Sequence, residues 1–175
     1  MNSLILLLGT TALLGSALVG GVFFAFSSFV MKALARVTSS EAIATMQSIN
    51  AVVINLSFMA AFMGTALLSV VMVILVLVST NHPSTMFFIG GAIFYFVGTF
   101  LVTIFCNVPL NNQLAAVSAM DPDATKFWMH YLKQWTMWNH IRTAAAMAAA
   151  LLYTVGLIQN GASKTMQRIQ EAVRK

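Results

Sequence analysis

The residue types best suited to chemistry lie together in one stretch, residues 126–143, where aromatic, amide, imidazole and guanidinium side chains alternate. At about 100° per residue on a helix, one face of this stretch collects six of them: Trp128, Tyr131, Trp135, Trp138, Asn139 and Arg142. Flat indole rings can hold an aromatic ligand, and a guanidinium beside an amide can bind a carbonyl oxygen or an oxyanion. This face is therefore the first candidate site.

Two side chains are candidates for removing a proton at such a site. His140 has the side chain best matched to neutral pH, but on a helix it projects about 160° away from Arg142. Glu41 is the rival base, and its competing role is to cap a helix, because Thr38 and Glu41 have the spacing of a capping box.

Arg142 and the tryptophans also have structural interpretations. A guanidinium near the end of a membrane span can reach the headgroups and contact an indole of Trp135 or Trp138. The tryptophans can form an aromatic belt at the membrane boundary. Metal binding is not expected, since His82, His130 and His140 have no ligand spacing with each other or with a carboxylate.

The chain that positions these groups is too apolar for a soluble protein. Of its 175 residues 59% are hydrophobic and 7% are charged, against about 25% charged in soluble domains. The composition predicts an all-α integral membrane protein with one four-helix domain, residues 1–160. The net charge of +5 is spread over scattered basic residues, which fits a membrane surface and predicts no nucleic-acid partner.

Four transmembrane helices are predicted near residues 3–34, 39–79, 84–106 and 122–160. The second and fourth have about forty residues each, or ~60 Å, whereas the hydrocarbon core is ~30 Å thick. Both helices should overhang the bilayer on the same side and form a polar cap there.

The third helix is expected to end at Asn107-Val-Pro-Leu-Asn-Asn112, since Pro109 disfavours helix at the preceding residue. The three asparagines Asn107, Asn111 and Asn112 can satisfy freed backbone groups or hold a ligand, and both alternatives stay open. We predict that at least one of them lies within hydrogen-bond reach of Asn139, His140 or Arg142, directly or through one water or ligand.

Residues 161–175 form a basic segment, predicted as an amphipathic tail that lies on anionic lipid. Its basic residues favour cytoplasmic N- and C-termini in a bacterial inner membrane: Lys164, Arg168, Arg174 and Lys175.

Three motifs resemble one known family: FAFSSFVMKAL at the end of the first span, NVPLNN after the third and Trp-x-x-Trp-Asn-His-x-Arg-Thr in the fourth. The combination is similar to the anthrone oxygenase-like family, small four-span membrane proteins of which many are known only as a domain of unknown function. Characterised members oxidise an anthrone to an anthraquinone, so the resemblance implies a monooxygenase that acts on an anthrone-like or other aromatic or quinol substrate with molecular oxygen and needs no added cofactor.

The resemblance also implies site residues, which are the residues of this chain that match the second and third motifs. Pro109 is one of the matching residues. His140, Arg142 and Asn139 are the expected catalytic residues. The expected substrate-binding residues are Asn107, Asn111, Asn112, Trp135 and Trp138, to which the residue face adds Tyr131. The expected partner is a hydrophobic aromatic or quinone-like small molecule, together with membrane lipid.

The alternative is a non-catalytic membrane protein that binds a quinone, a lipid or a partner protein at its polar cap. Whether the chain forms a homo-oligomer stays open.

Overall fold

The computed structural model describes residues 3–78, 84–119, 121 and 123–174, and the predicted connection between the second and third helices, residues 80–83, lies outside them. Within the described residues the chain forms helices and no strand. The helices are α1 (Ser3–Leu34), α2 (Ser39–Val52), α3 (Leu56–Val78), α4 (Thr85–Ala115) and α5 (Ala124–Val173).

The four predicted spans are confirmed. Four helical segments are long and apolar enough to cross a membrane: α1, α3, α4 and the part of α5 from Ala124 to Ser163. With 50 residues, α5 is about 75 Å long and must extend well beyond a ~30 Å hydrocarbon core.

The predicted second helix, residues 39–79, is wrong as one continuous element. The chain leaves the helix at Val53–Asn55 and starts α3 at Leu56. Asn55 makes this break, because its Oδ1 accepts a hydrogen bond from the Phe58 N–H at 3.0 Å and its Nδ2 donates to the Val52 carbonyl at 3.0 Å. The overhang beyond the membrane is therefore a separate helix, α2.

The cap is formed by α2, the end of α4 and the start of α5. The predicted capping box is confirmed at the start of α2, where Thr38 and Glu41 satisfy each other's backbone N–H groups. Gln47 of α2 donates from Nε2 to the carbonyls of Leu114 and Val117, at 2.8 and 2.9 Å. These two bonds join α2 to the end of α4.

The third helix does not end at the asparagine motif, contrary to prediction. α4 continues through Pro109 to Ala115, and its segments Phe94–Leu101 and Thr103–Asn107 are π-helical. Pro109 stands in the first turn of the α-helical segment that follows, where the missing N–H of proline is tolerated.

The predicted helix stop at residues 159–161 is also wrong. α5 continues through Gly161 to Val173, so the basic C-terminal segment is an extension of the fourth membrane helix.

The four spans form a square in which α1 and α4 each pack on both α3 and α5. Small residues allow the close approach of α4 to α5, since a Cβ built on Gly98 would lie 2.6 Å from Cβ of Ala145. Two clusters of buried apolar residues result. The membrane core includes Val19, Phe62, Met72, Phe88, Tyr95 and Tyr153, and the cap core includes Met31, Ile43, Met46, Leu114, Trp128 and Tyr131.

A buried arginine between the two cores

Arg142 is buried, with 4% of its surface exposed, where the membrane core meets the cap core. Its guanidinium lies between two aromatic rings, with Cζ 4.1 Å from the ring centre of Phe23 and 4.7 Å from that of Trp135. Nε and Nη2 both donate to Oδ1 of Asn139, at 3.1 and 2.8 Å. Nη1 makes a longer bond, 3.4 Å, to the hydroxyl of Thr103.

No described hydrogen bond or ion pair joins Arg142 to a carboxylate. All four acidic residues of the chain, Glu41, Asp121, Asp123 and Glu171, are exposed. Burying an uncompensated charge costs several kcal/mol, and two cation–π contacts return about 2 kcal/mol each at most. A guanidinium has five N–H groups, and the described hydrogen bonds use three. The site therefore retains positive charge and donor capacity for an oxygen acceptor.

The amide of Asn139 is held in one orientation by α1. Its Nδ2 donates to the carbonyl of Phe23 at 2.8 Å and to the hydroxyl of Ser27 at 2.7 Å. Its Oδ1 must then face Arg142. Thr143 donates to the Asn139 carbonyl at 2.7 Å, so Ser27 is the donor in the 3.1 Å contact between the two hydroxyls.

A polar stripe on α4 faces the site residues of α5, with the spacing of four residues: Thr99, Thr103, Asn107 and Asn111. Thr99 donates to the Arg142 carbonyl at 3.3 Å and Asn107 donates to the Trp135 carbonyl at 3.2 Å. In an α-helix this spacing would drift by about 120° over twelve residues. The wider π-helical turns between residues 94 and 107 rotate less per residue and keep the stripe straight.

The third π-helical segment, Phe26–Val30 of α1, contains Ser27. Each of the three π-helical segments therefore contributes a side chain to the surroundings of Arg142 or borders them. Single π-helical turns occur frequently at functional sites.

Asn107 is fully buried, and its Oδ1 has no hydrogen-bond partner among the described residues. It is one of five such atoms among the described residues, and each calls for an explanation such as a ligand or an ordered water. An acceptor without a partner thus lies on the same helix face as Thr103, one turn away.

Three aromatic residues at the start of α5, Trp128, Tyr131 and Trp135, stack in series. Trp128 and Tyr131 have ring centres 5.6 Å apart, and Tyr131 and Trp135 have theirs 6.3 Å apart. Asn111 fixes the last two, since its Oδ1 accepts from the Tyr131 hydroxyl at 2.9 Å and from the Trp135 indole N–H at 2.8 Å. Trp135 acts as one wall of the arginine site and the rest of the stack is core.

The structure brings together six of the predicted site residues: Asn107, Asn111, Tyr131, Trp135, Asn139 and Arg142. It leaves three apart from them. His140 and Asn112 are exposed, and Trp138 is half-buried. His140 instead borders a surface hollow of about 320 Å³ between α1 and α5.

The predicted contact between the asparagine motif and the fourth helix runs through Trp135. Asn107 and Asn111 bind its carbonyl and its indole, and no described hydrogen bond joins either of them directly to Asn139, His140 or Arg142. The rival base Glu41 is exposed in the capping box, remote from this cluster. Hydrogen bonds from the Thr38 hydroxyl and backbone N–H lower the pKa of its carboxyl.

Sequence reasoning missed five residues of the site: Phe23, Ser27, Thr99, Thr103 and Thr143. The four-residue spacing of Thr99, Thr103, Asn107 and Asn111 was a usable signal only for a helix that continues past Pro109. Within the described residues no group of three or more His, Cys, Asp or Glu side chains could hold a metal ion. The absence of metal and cofactor stays a prediction.

Four membrane-length helices around a buried arginine without a carboxylate define an integral membrane helical bundle with a polar site inside it. Residues 53–152, more than half of the chain, match the sequence model of the family described as anthrone oxygenase. The chain belongs to the anthrone oxygenase family. No curated protein and no solved structure matches it.

Proposed function

We propose that the protein is a membrane-embedded oxygenase that oxidises a flat aromatic substrate of the anthrone type with molecular oxygen. The observation that carries this proposal is the buried, uncompensated guanidinium of Arg142, whose Cζ lies within 5 Å of the ring centres of Phe23 and Trp135. Such a group binds a carbonyl oxygen and stabilises it further when it becomes an oxyanion.

The reaction balances with oxygen as the sole co-reactant. One proton passes from the ring CH₂ to water and leaves an enolate, whose oxygen is the atom placed against Arg142. The enolate carbon passes electrons to O₂ and forms a carbon–oxygen bond to it. The resulting peroxide takes back a proton and then loses water, so that anthrone and O₂ become anthraquinone and H₂O.

The residues around Arg142 have separable roles in this scheme. Asn139 orients the guanidinium, and Ser27 and Thr143 orient Asn139. Arg142 stabilises the negative charge on the enolate oxygen and so lowers the free energy of its formation, by about 3–4 kcal/mol for a preorganised donor. The unpartnered Oδ1 of Asn107 is suited to accept a hydrogen bond from a substrate hydroxyl.

A binding protein without turnover is the second candidate, and the position of His140 favours it. His140 is exposed and makes no described hydrogen bond to the Arg142 cluster. In this alternative the site holds a quinone or the polar group of a lipid, and no base is needed.

The decisive experiment supplies the counterion that Arg142 lacks. Thr103→Asp places a carboxylate beside Nη1, and Thr103→Asn changes the same side chain without adding charge. Anthrone turnover in lipid nanodiscs is followed as O₂ consumption and anthraquinone absorbance above the spontaneous rate. We expect the Asp variant to be roughly 30-fold slower than the Asn variant, because the oxyanion site is neutralised.

Binding is measured in the same samples by quenching of tryptophan fluorescence with 9,10-anthraquinone. All three tryptophans lie on α5, between residues 128 and 138, so they report directly on the site. Quenching that depends on the charge at position 103 without any turnover would establish the binding protein. Equal behaviour of the two variants in both assays would remove the proposal.

A further inference from the structure

A hollow of about 320 Å³ lies on the outer surface of the bundle between α1 and α5, and six residues line it: Phe24, Ser27, Ser28, His140, Thr143 and Ala144. Phe24, His140 and Ala144 are exposed, whereas Thr143 is buried at its floor. The hollow thus combines an aromatic ring, an imidazole and three hydroxyl groups.

The floor of the hollow is the outer side of the arginine site. Ser27 and Thr143 are hydrogen-bonded to each other across the seam, and both bond to Asn139. Asn139 in turn holds the guanidinium of Arg142. One pair of small side chains therefore separates the hollow from the residue that orients the buried charge.

The hollow lies near the level at which α3 starts, and α3 is long and apolar enough to cross a membrane. α3 starts at Leu56, and Phe58 in its first turn packs against Phe23 with ring centres 6.3 Å apart. Ser27 is about one turn beyond Phe23 in the direction of the cap. A molecule dissolved in the outer part of the bilayer would meet the hollow directly.

Two other routes toward Arg142 show no comparable polar opening in the described part of the chain. From the water side, Met46, Leu114 and Trp128 of the cap core are all buried to 2% exposure or less. On the diagonally opposite seam, between α3 and α4, a hollow of about 210 Å³ is lined by apolar side chains and Ser69. The hydroxyl of Ser69 bonds to Thr65 and Tyr153 and not to the arginine site.

We infer that the substrate reaches Arg142 sideways from the bilayer, between α1 and α5, by displacing Ser27 from Thr143. This inference rests on the proposed function. It narrows the substrate class to flat aromatic molecules dissolved in the membrane, which would enter with the carbonyl oxygen first and with the apolar part facing the lipid. His140 points away from Arg142 and so cannot act as a base inside the bundle. At the rim of the hollow, however, it lies beside the entering substrate. The α1–α5 hollow is the access window of the site.

The test blocks the window after the protein has folded. Cys106 is the only cysteine of the chain, so Cys106→Ser provides a cysteine-free background for Ala144→Cys. The matched control is Ala60→Cys, at an exposed alanine of α3 that lines neither hollow. Benzyl methanethiosulfonate adds a bulky ring to each thiol. Dithiothreitol followed by desalting removes it again.

The readout is the rate of tryptophan quenching after nanodisc-embedded protein is mixed with 9,10-anthraquinone, with Arg142→Met as the reference for site-specific quenching. We expect the block at position 144 to slow quenching by about tenfold or more, with recovery after removal of the ring, and no such change at position 60. Equal quenching rates at the two blocked positions would overturn the proposed access route. The proposed function would still stand if quenching depended on Arg142. Quenching that is the same with and without Arg142 would overturn both.

Discussion

Polar side chains are buried in two layers of the bundle, the membrane core and the surroundings of Arg142, and their hydrogen bonding differs between the two. In the membrane core the buried polar groups are neutral hydroxyls, and apart from that of Ser16 the described ones have partners inside the protein. Tyr153 and Ser69 are 3.1 Å apart, Ser69 donates to the Thr65 carbonyl at 2.8 Å, and Tyr95 donates to the Phe62 carbonyl at 3.1 Å. Such pairs fix the packing of helices and leave no capacity for a ligand.

The layer around Arg142 has the opposite character. It contains a full charge without a carboxylate, donor groups that the described hydrogen bonds do not use, and the unpartnered acceptor of Asn107. It is also where the helices depart from α-helical geometry. The contrast shows that burial of polar groups alone does not mark a site. A polar layer is a site when its charge and hydrogen bonds are incomplete without a ligand.

The largest effect should come from removing the charge. Arg142→Met should weaken anthraquinone binding and slow anthrone turnover by about 100-fold, because the oxyanion loses its main partner. The thermal unfolding midpoint should stay equal or rise, since an uncompensated buried charge is removed. Arg142→Lys should lose at least about tenfold, because an ammonium cannot reproduce the planar fork on Asn139.

Tyr153→Phe is the control for this prediction in the membrane core, where one hydroxyl is removed from a satisfied pair. Its turnover should stay near that of the unchanged protein. A protein that loses as much function with Tyr153→Phe as with Arg142→Met would show that the two layers do not differ in role.

Packing should respond most at the α4–α5 contact beside the arginine layer. A Cβ on Gly98 would meet Cβ of Ala145 at 2.6 Å, whereas a Cβ on Gly64 would have no atom within 4 Å. Gly98→Ala should lower the free energy of unfolding by about 1–3 kcal/mol through overpacking. Gly64→Ala should be neutral or slightly stabilising. Unfolding in mixed micelles by urea or sodium dodecyl sulfate measures both, and equal values would contradict the close helix approach.

A smaller effect is expected at the asparagine motif, where two asparagines give a matched pair. Asn111 accepts from both Tyr131 and Trp135, whereas Asn112 is exposed. Asn111→Ala leaves two buried donors without their acceptor and should cost about 1–3 kcal/mol in unfolding free energy. It should also shift tryptophan emission. Asn112→Ala should change neither quantity, and a loss at Asn112 comparable to that at Asn111 would refute the assignment.

The smallest effect concerns pH and the start of α2. Hydrogen bonds from Thr38 lower the pKa of Glu41 in the folded protein. The stabilisation is therefore complete above the unfolded-state pKa of about 4.3 and is lost as the pH falls through the lower folded-state value. Because Glu41 is fully exposed, the change should be small. Helix content against pH, compared with Glu41→Gln, measures it, and an identical acid response of the two proteins would contradict the capping role.

Much of this molecule follows from the sequence because its causes are local or repeat with the helix period. The apolar runs predict four spans, and the periodicity of residues 128–142 predicts the buried face of α5, on which Trp135, Asn139 and Arg142 lie. The capping box at Thr38 and the family motifs are equally readable. The exposure of His140 also follows from its angle on the helix relative to Arg142.

The continuation of α4 through Pro109 and the π-helical turns were decided by tertiary contacts. The break at Asn55 has a local cause, since Asn55 bonds to the backbone of Val52 and Phe58, but an asparagine alone is not a strong stop signal in a sequence. Pro109 alone predicts a helix end, but the contacts of Asn107 and Asn111 with Trp135 hold the chain helical on both sides of it.

The sequence alone determined that the chain has few carboxylates and one arginine inside a predicted span. Only the tertiary structure decided that Arg142 stays uncompensated. Phe23 and Ser27 from α1 and Thr103 from α4 close around it, although they are separated from it by 119, 115 and 39 positions in the chain. The physical reason is that helix periodicity fixes which face of one helix is buried, whereas the groups that meet there depend on how neighbouring helices rotate and how closely they approach.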